Sequence, residues 1–392
     1  MALTADAATA LDRATQPSVT RHWWMLRERV CYPLVCRPAL RRAGLCPPIW
    51  IEIVLENSPG PPTLKLEDFG WAAHFEDQLT EADAGLLPVR VMMVHRDALD
   101  VAGPGFEGRI AGLTRRHSDN TATTGDWLLI DASHTAVRVL ERHSLFKRKA
   151  AGRGRSVQRI AANIDVVFIV TSANQEFNLA RIERYLALAS ESGATPVVLI
   201  TKADLSDDVS PVLEAVQGLQ PDLAVVAINA KSPAVGEALA PWLARGKTVA
   251  LLGSSGVGKS TLVNSLMGED LQATQGSRAG GDKGRHTTSA RSLHRLANGA
   301  WLMDTPGIRE LQLLDAAQGV DEVFDDLAAL ASACKFSNCR HEGEPGCAVQ
   351  EAVAAGEIDE VRLMRYQKLQ GEERVNSRAV ADSRGRGPRG MG

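Results

Sequence analysis

Short apolar runs give the first signal in this chain, and the way they repeat changes along it. Between residues 86 and 145 they are rich in β-branched residues and broken by turn signals. Residues 89–94 and 127–130 are the clearest, with Gly103-Pro104-Gly105 and Gly125-Asp126 between them. Strands this short at this spacing predict a small all-β barrel, with an OB-type barrel as one candidate among small all-β folds. From residue 163 to about 307, strands alternate with helical segments. Strands are predicted at 164–170, 196–201, 223–228, 248–252 and 301–303, and helices at 179–190, near 212–216 and around 235–243. Ile182, Tyr185 and Leu186 share one face of the 179–190 helix, the spacing of an amphipathic helix. Such alternation makes an α/β fold, a mostly parallel sheet with helices on both faces. Residues 358–369 read as a further amphipathic helix.

Outside these periods the chain is punctuated differently. Residues 1–63 carry Pro47-Pro48, Pro59-Gly60-Pro61-Pro62 and the basic Arg37, Arg41 and Arg42 without a sustained period, so a partly disordered extension is expected. A barrel with a basic linker is expected over 64–150, the α/β domain over 151–315, a small helical module over 316–372 and a disordered Gly/Arg tail over 373–392. The basic segment Arg138, Arg142, Lys147, Arg148, Lys149, Arg153, Arg155 and Arg159 fits a solvated linker and an RNA-backbone contact equally well.

Composition narrows the function. The 392 residues are 44% hydrophobic and 23% charged, which supports two or three folded domains at roughly 150 residues each. A formal net charge of -3 excludes a uniformly basic nucleic-acid binder, so any RNA contact is regional. The longest apolar runs, such as 166–170 and 197–200, are far short of the about 20 residues that cross a bilayer. The opening residues carry no basic region followed by an apolar stretch, so no export and cytoplasmic residence are expected, without membrane attachment. Cys31, Cys36 and Cys46, with His22, read better as scattered thiols than as a metal site, because no compact fourth ligand is visible.

Gly253-Ser254-Ser255-Gly256-Val257-Gly258-Lys259-Ser260 matches the full phosphate-loop pattern, after a strand and before the helical run that begins at Thr261. Glycines let the loop curl until successive N–H groups face phosphate oxygens, and the following helix adds the positive end of its dipole. Lys259 supplies a mobile cation for the β- and γ-phosphates, and the Ser260 hydroxyl is a hard ligand for Mg²⁺. Thr201-Lys202-Ala203-Asp204 ends a predicted strand. There a carboxylate can accept from guanine N1–H and the N2 amino group, which adenine lacks, while the Lys202 stem lies against the ring. Asn229-Ala230-Lys231 closes the next strand and offers the Ala230 N–H to guanine O6. In Asp304-Thr305-Pro306-Gly307, Asp304 would hold Mg²⁺ through water and the Gly307 N–H would sense the γ-phosphate. The polar loop Gly281-Asp282-Lys283-Gly284-Arg285-His286-Thr287-Thr288-Ser289 suits a mobile switch, with Thr288 closing over Mg²⁺.

Near the far end, Cys334-x4-Cys339-x-His341-x5-Cys347 collects thiols and an imidazole, with Gly343, Pro345 and Gly346 supplying turns. Four such ligands and no carboxylate describe one closed, structural Zn²⁺ site.

Base-reading motifs that precede the phosphate loop give the order of circularly permuted GTPases. With Ala161-Ala162-Asn163-Ile164-Asp165, Phe177-Asn178-Leu179, Gly284-Arg285-His286-Thr287-Thr288 and Asp304-Thr305-Pro306-Gly307-Ile308-Arg309-Glu310, the chain closely resembles the ribosome small subunit-dependent GTPase A family over residues 66–370. The resemblance implies an OB-fold before the GTPase domain, a zinc-binding domain after it with the same four ligands, and a role in late small-subunit maturation. Its partners would then be GTP or GDP with Mg²⁺ and the small ribosomal subunit with its rRNA, and a monomer is expected. Ile308 stands where many switch GTPases place a water-orienting glutamine, so slow intrinsic hydrolysis is expected, with His286 as the candidate to position water once the subunit orders its loop.

Overall fold

The computed structural model describes residues 64–112, 122–149, 157–174, 177–268, 291–304 and 316–385. The expected extension over 1–63 and its cysteines lie outside the described residues.

Five antiparallel strands come first: β1 (Leu87–Val94), β2 (Ala98–Gly103), β3 (Phe106–Ala111), β4 (Trp127–Ile130) and β5 (Ala136–Val139). They run in the order β3-β2-β1-β4-β5. Inward-facing Val89, Val91, Leu99, Val101, Ile110, Leu128 and Ile130 form one core. A register shift between Val91 and Met93 bends β1, as a bulge does. Among the described residues β3 and β5 share no ladder, but the Phe106 and His134 rings, 4.2 Å apart, bring β3 against the β4–β5 turn. This is the partly open, five-stranded arrangement of an OB-type barrel.

The basic segment expected as a linker is instead largely a hairpin, β6 (Leu145–Lys149) on β7 (Val157–Ala162). Phe146 and Ile160 are buried, and that burial anchors the two strands.

The α/β part follows with β8 (Val166–Ser172), β9 (Thr195–Thr201), β10 (Ala224–Ala227), β11 (Thr248–Leu252), β12 (Ser292–Arg295) and β13 (Trp301–Asp304). Strands β10-β9-β8-β11-β13 are parallel, and β12 lies antiparallel on β13. Every residue of β8 is buried, as a strand covered on both faces must be. Helix α1 (Leu179–Ser192) packs Ile182, Leu186 and Ala189 on one face of the sheet, in the same core as Val167 and Ile169. Helix α3 (Lys259–Met267) packs Leu262 and Val263 on the other, with Val166, Phe168 and Val170. Helix α2 (Ser210–Gln217) lies between β9 and β10 in the chain. The helix expected around 235–243 is split into a turn of α-helix, Val235–Ala238, and a tighter turn, Ala240–Trp242, because Pro241 has no N–H to continue the ladder.

The barrel and the α/β sheet form one continuous sheet, because Met93 of β1 pairs with Ser292 of β12. Arg90 locks the junction. Its buried guanidinium donates to the carbonyls of Phe69, Gly125 and Asn163 and, at 2.8 Å, to Thr248 Oγ1 on β11. Burial pulls its pKa down to about 10, against the attraction of Asp165 and Asp126, so it stays charged at neutral pH.

Helices α4 (Ala317–Val323), α5 (Asp325–Ser332), α6 (Ala348–Ala354) and α7 (Glu360–Gly385) complete the fold. The helix expected to end at residue 369, and the tail expected to be disordered from 373, are corrected by α7, which runs to Gly385. Side-chain bonds hold this extension: Arg184 of α1 donates to Glu372 at 2.9 Å, and Ser377 to Glu373 one turn back at 2.6 Å. Among the described residues no helix is long and apolar enough to cross a membrane.

Candidate functional site

All parallel strands end on one edge of the sheet, and the phosphate-loop motif emerges there after β11. Gly253 holds φ 144° so close to β8 that a Cβ would lie 2.3 Å from the Val170 carbonyl oxygen, a position only glycine accepts. Gly258, with φ 98°, turns the chain into α3. Ser254, Gly256, Ser260 and Thr261 are half-buried, Ser255 is exposed and Val257 is buried. The buried Lys259 donates from Nζ to the Gly253 carbonyl at 2.7 Å and to the Ser254 carbonyl. Its ammonium is therefore held against the loop's own carbonyls.

Thr201 links this loop to the next motif. Its buried Oγ1 lies 2.6 Å from the Val257 carbonyl and 3.0 Å from that of Thr171, and its single proton serves one acceptor at a time. Lys202 then takes a left-handed conformation, φ 57°, and Ala203–Leu205 forms a tight turn that leaves Asp204 exposed. Just past the neighbouring strand β10, Asn229 Oδ1 accepts from Lys231 N–H at 2.9 Å, and the carbonyl of buried Ala230 accepts from Ser265 on α3 at 2.6 Å. The three motifs are thus tied to one another by Thr201 and Ser265. Nothing in the sequence marked Ser265, since a serine inside a helix carries no signal of its own. Asp304 closes β13, half-buried and opposite Ser292. His286, Thr288 and Gly307 lie outside the described residues.

A second group of donors lies in the C-terminal helical part. The ligand atoms of Cys334, Cys339, His341 and Cys347 all fall within 4.8 Å of one another. Cys334 Sγ is 3.8 Å from Cys347 Sγ and 3.6 Å from His341 Nδ1, and the latter is 3.3 Å from Cys347 Sγ. A tetrahedron with metal–sulfur bonds of about 2.3 Å and metal–nitrogen bonds of about 2.0 Å has edges of roughly 3.5–3.8 Å, so these residues fit a tetrahedral metal. Cys347 caps α6, its sulfur accepting from the Gln350 N–H. The Gln350 and Gln367 side chains both donate to the His341 carbonyl and fix its left-handed backbone, φ 61°. Burial pushes the Cys339 thiol up to about 11, so a bound cation has to displace that proton.

The two sites share helix α1. At its start Asn178 and Arg181 border a cavity of about 10 Å³ against Ser254 and Val257 of the phosphate loop. One turn on, the fully buried Glu183 meets Arg365 of α7 at 2.8 Å, and Arg362 grips Asp326 of α5 through two bonds of 2.7 and 2.8 Å. Gly319 lets α4 approach α1 so closely that a Cβ would meet the Ala187 carbonyl at 2.3 Å.

A family model described as RsgA GTPase matches residues 139–314. Small ribosomal subunit biogenesis GTPase RsgA of Mesorhizobium japonicum is 46% identical over 348 residues, covering 87% of this chain and 98% of that protein. This chain belongs to the RsgA GTPase family. RsgA 2 of Vibrio vulnificus is also 46% identical, over 82% of this chain and 91% of its own length. Two solved structures share the fold of this chain. YjeQ from Thermotoga maritima, 24% identical with a TM-score of 0.53, covers 77% of this chain and 100% of its own. YloQ, described as a circularly permuted GTPase, is 21% identical with a TM-score of 0.52, over 80% of this chain and 100% of its own. The permuted order is evident here too, since residues 201–204 and 229–231 precede the phosphate loop in the chain.

Proposed function

We propose that this chain hydrolyses GTP to GDP and phosphate on the small ribosomal subunit, as a monomer in the cytoplasm, and acts in late maturation of that subunit. The observation that carries the nucleotide reading is the pair of tethers, Thr201 to Val257 and Ser265 to Ala230, which hold base-reading and phosphate-binding loops as one unit. The ribosomal reading rests on relatives named for small ribosomal subunit biogenesis.

Asp204 accepts from the guanine N1–H and amino group, Lys202 lies along the ring, and the N–H of Ala230, with Asn229 beside it, faces O6. Residues 253–261 wrap the phosphates, with Lys259 released from its carbonyls to the β- and γ-oxygens. Ser260, Thr288 and Asp304 are the residues to hold Mg²⁺, which when bound neutralises charge on those oxygens. The Gly307 N–H senses the γ-phosphate. Cys334, Cys339, His341 and Cys347 hold one structural zinc, for which three thiols and one imidazole are a well-suited donor set. The barrel in the 64–150 region, the basic hairpin β6–β7 that follows it across residue 150, and the zinc module over 316–372 contact rRNA around the GTPase domain over 151–315.

Because Ile308 cannot orient water, His286 takes that role when the subunit orders its loop. GTP turnover by the wild-type chain and by His286→Ala, each with and without purified small subunits, tests this. The expected result is strong stimulation of the wild type and its loss in His286→Ala, with GTP binding retained. No hydrolysis by the wild type even with subunits would instead leave a GTP-binding RNA scaffold.

A further inference from the structure

Among the C-terminal helices lies a half-open cavity of about 220 Å³, bordered by the metal ligands Cys339 and His341, that the nucleotide site does not use. This is many times the space that one water needs, and leaves room for one planar ring system. Ala328 and Ala331 of α5 supply apolar wall, and the Phe336 ring, 42% exposed, supplies a flat one. Asp321 of α4, Ser337, and Tyr366 and Gln370 of α7 bring polar groups to the same space. Tyr366 is 2% exposed and its hydroxyl donates to Asp321 Oδ1 at 3.2 Å, so a buried phenol fixes the carboxylate in place. Among the described residues the Ser337 hydroxyl and the Gln370 amide nitrogen have no hydrogen-bond partner, while Gln370 Oε1 accepts from Arg374, so both donors are available.

We propose that this cavity takes a single unpaired guanine base of RNA, stacked on Phe336, with its N1–H and amino group on Asp321 and its O6 edge toward Gln370 and Ser337. The proposal rests on the rRNA partner reading above and assigns that contact to one pocket. An aromatic face accepts any base, while a carboxylate selects guanine because adenine and the pyrimidines do not present two adjacent donors in that way. The alternative occupant of an acidic aromatic pocket is a cationic side chain from a protein. Lys335 argues against it: its ammonium already lies over the Phe336 ring, 5.5 Å from the centroid, where it repels a second cation, and a base that takes its place on the ring leaves it to pair with the phosphates of the strand.

The test uses the zinc-loaded full-length chain and short single-stranded uridine oligonucleotides that carry one central guanosine, inosine or adenosine. Binding is read by fluorescence anisotropy at low salt. Wild type is expected to prefer guanosine. Asp321→Asn should remove most of that preference, and Phe336→Ala should weaken every oligonucleotide by about 5- to 150-fold, the range seen for removal of one stacking partner. Phe336→Tyr should retain binding, which guards against a folding defect. A 6-thioguanosine oligonucleotide should cross-link to the segment around Phe336. Equal binding of guanosine and adenosine oligonucleotides, cross-links confined to other segments, or capture of an arginine peptide in place of RNA would overturn the assignment. GTP binding and GDP release, unchanged in the same variants, separate its failure from failure of the GTPase reading.

Discussion

Replacing Thr201 with valine removes a hydroxyl and keeps the side chain's shape. Thr201 is fully buried, and its Oγ1 reaches the Val257 carbonyl of the phosphate loop and the Thr171 carbonyl of β8. One proton cannot serve both acceptors together, so one neutral hydrogen bond is lost, worth about 1–1.5 kcal/mol. If that bond holds the base-reading loop in register with the phosphate loop, its loss appears as an ordering cost in nucleotide affinity, about 5- to 12-fold. The tether lies between base and phosphate loops rather than at the γ-phosphate, so GDP and a GTP analogue should lose affinity by the same factor. Equilibrium binding of a fluorescent GDP and a fluorescent GTP analogue, measured well below the variant's unfolding temperature, reads this directly, and Thr201→Ser should restore it. Undiminished affinity for both nucleotides in Thr201→Val would mean that the hydroxyl does not hold the two loops in register, and a loss confined to the GTP analogue would place its effect elsewhere.

Arg90→Met strips buried carbonyls of Phe69, Gly125 and Asn163 of their donor and should destabilise the fold by about 3–5 kcal/mol, measured by urea unfolding. Removing metal with a strong chelator, or Cys347→Ser, should raise hydrogen exchange across residues 334–354 and leave GDP affinity unchanged, because α4 and α7 keep their own contacts with α1. Metal analysis should return one zinc per chain, released in step with that exchange. Burial raises the Asp326 carboxyl, but its bonds from Arg362 outweigh this and hold it below its ordinary 3.8. Its stabilising effect is therefore present above that value and lost as pH falls through the lower folded value. Asp326 is 37% exposed, so solvent screening limits the effect. Asp326→Asn should cost only about 0.5–1 kcal/mol at neutral pH, a difference that vanishes in strong acid; a difference independent of pH would contradict the ion pair.

Much of the architecture was legible because it is written in local periods. The uniformly apolar run of β8, the glycine-bounded loop after β11 and the amphipathic face of α1 each follow from residues close together in the chain. What escaped was set by contacts distant in sequence. The hairpin β6–β7 looked like a charged linker because basic residues recur along it, while Phe146, Ile160, Ala161 and Ala162 turn it inward. The extension of α7 to Gly385 depends in part on Arg184, which is far away in the chain. Arg90 sits in an apolar strand and gives no hint that four acceptors from separate segments will surround it. At the site, motif spacing pointed to the loops, but the tether from Ser265 to Ala230 required the fold.

Guanine read by Asp204 is the contact on which the proposed nucleotide site depends, and the affinity of wild type and Asp204→Asn for GTP and for xanthosine triphosphate measures it most directly. Xanthine carries a carbonyl where guanine has its amino group, so an asparagine amide can donate where the aspartate accepted. Losing two charge-assisted hydrogen bonds of about 1.5–3 kcal/mol each should weaken GTP roughly 10²- to 10⁴-fold, while xanthosine triphosphate gains. If Asp204→Asn still binds GTP as wild type does and ignores xanthosine triphosphate, the base is read somewhere else and the proposed site is wrong.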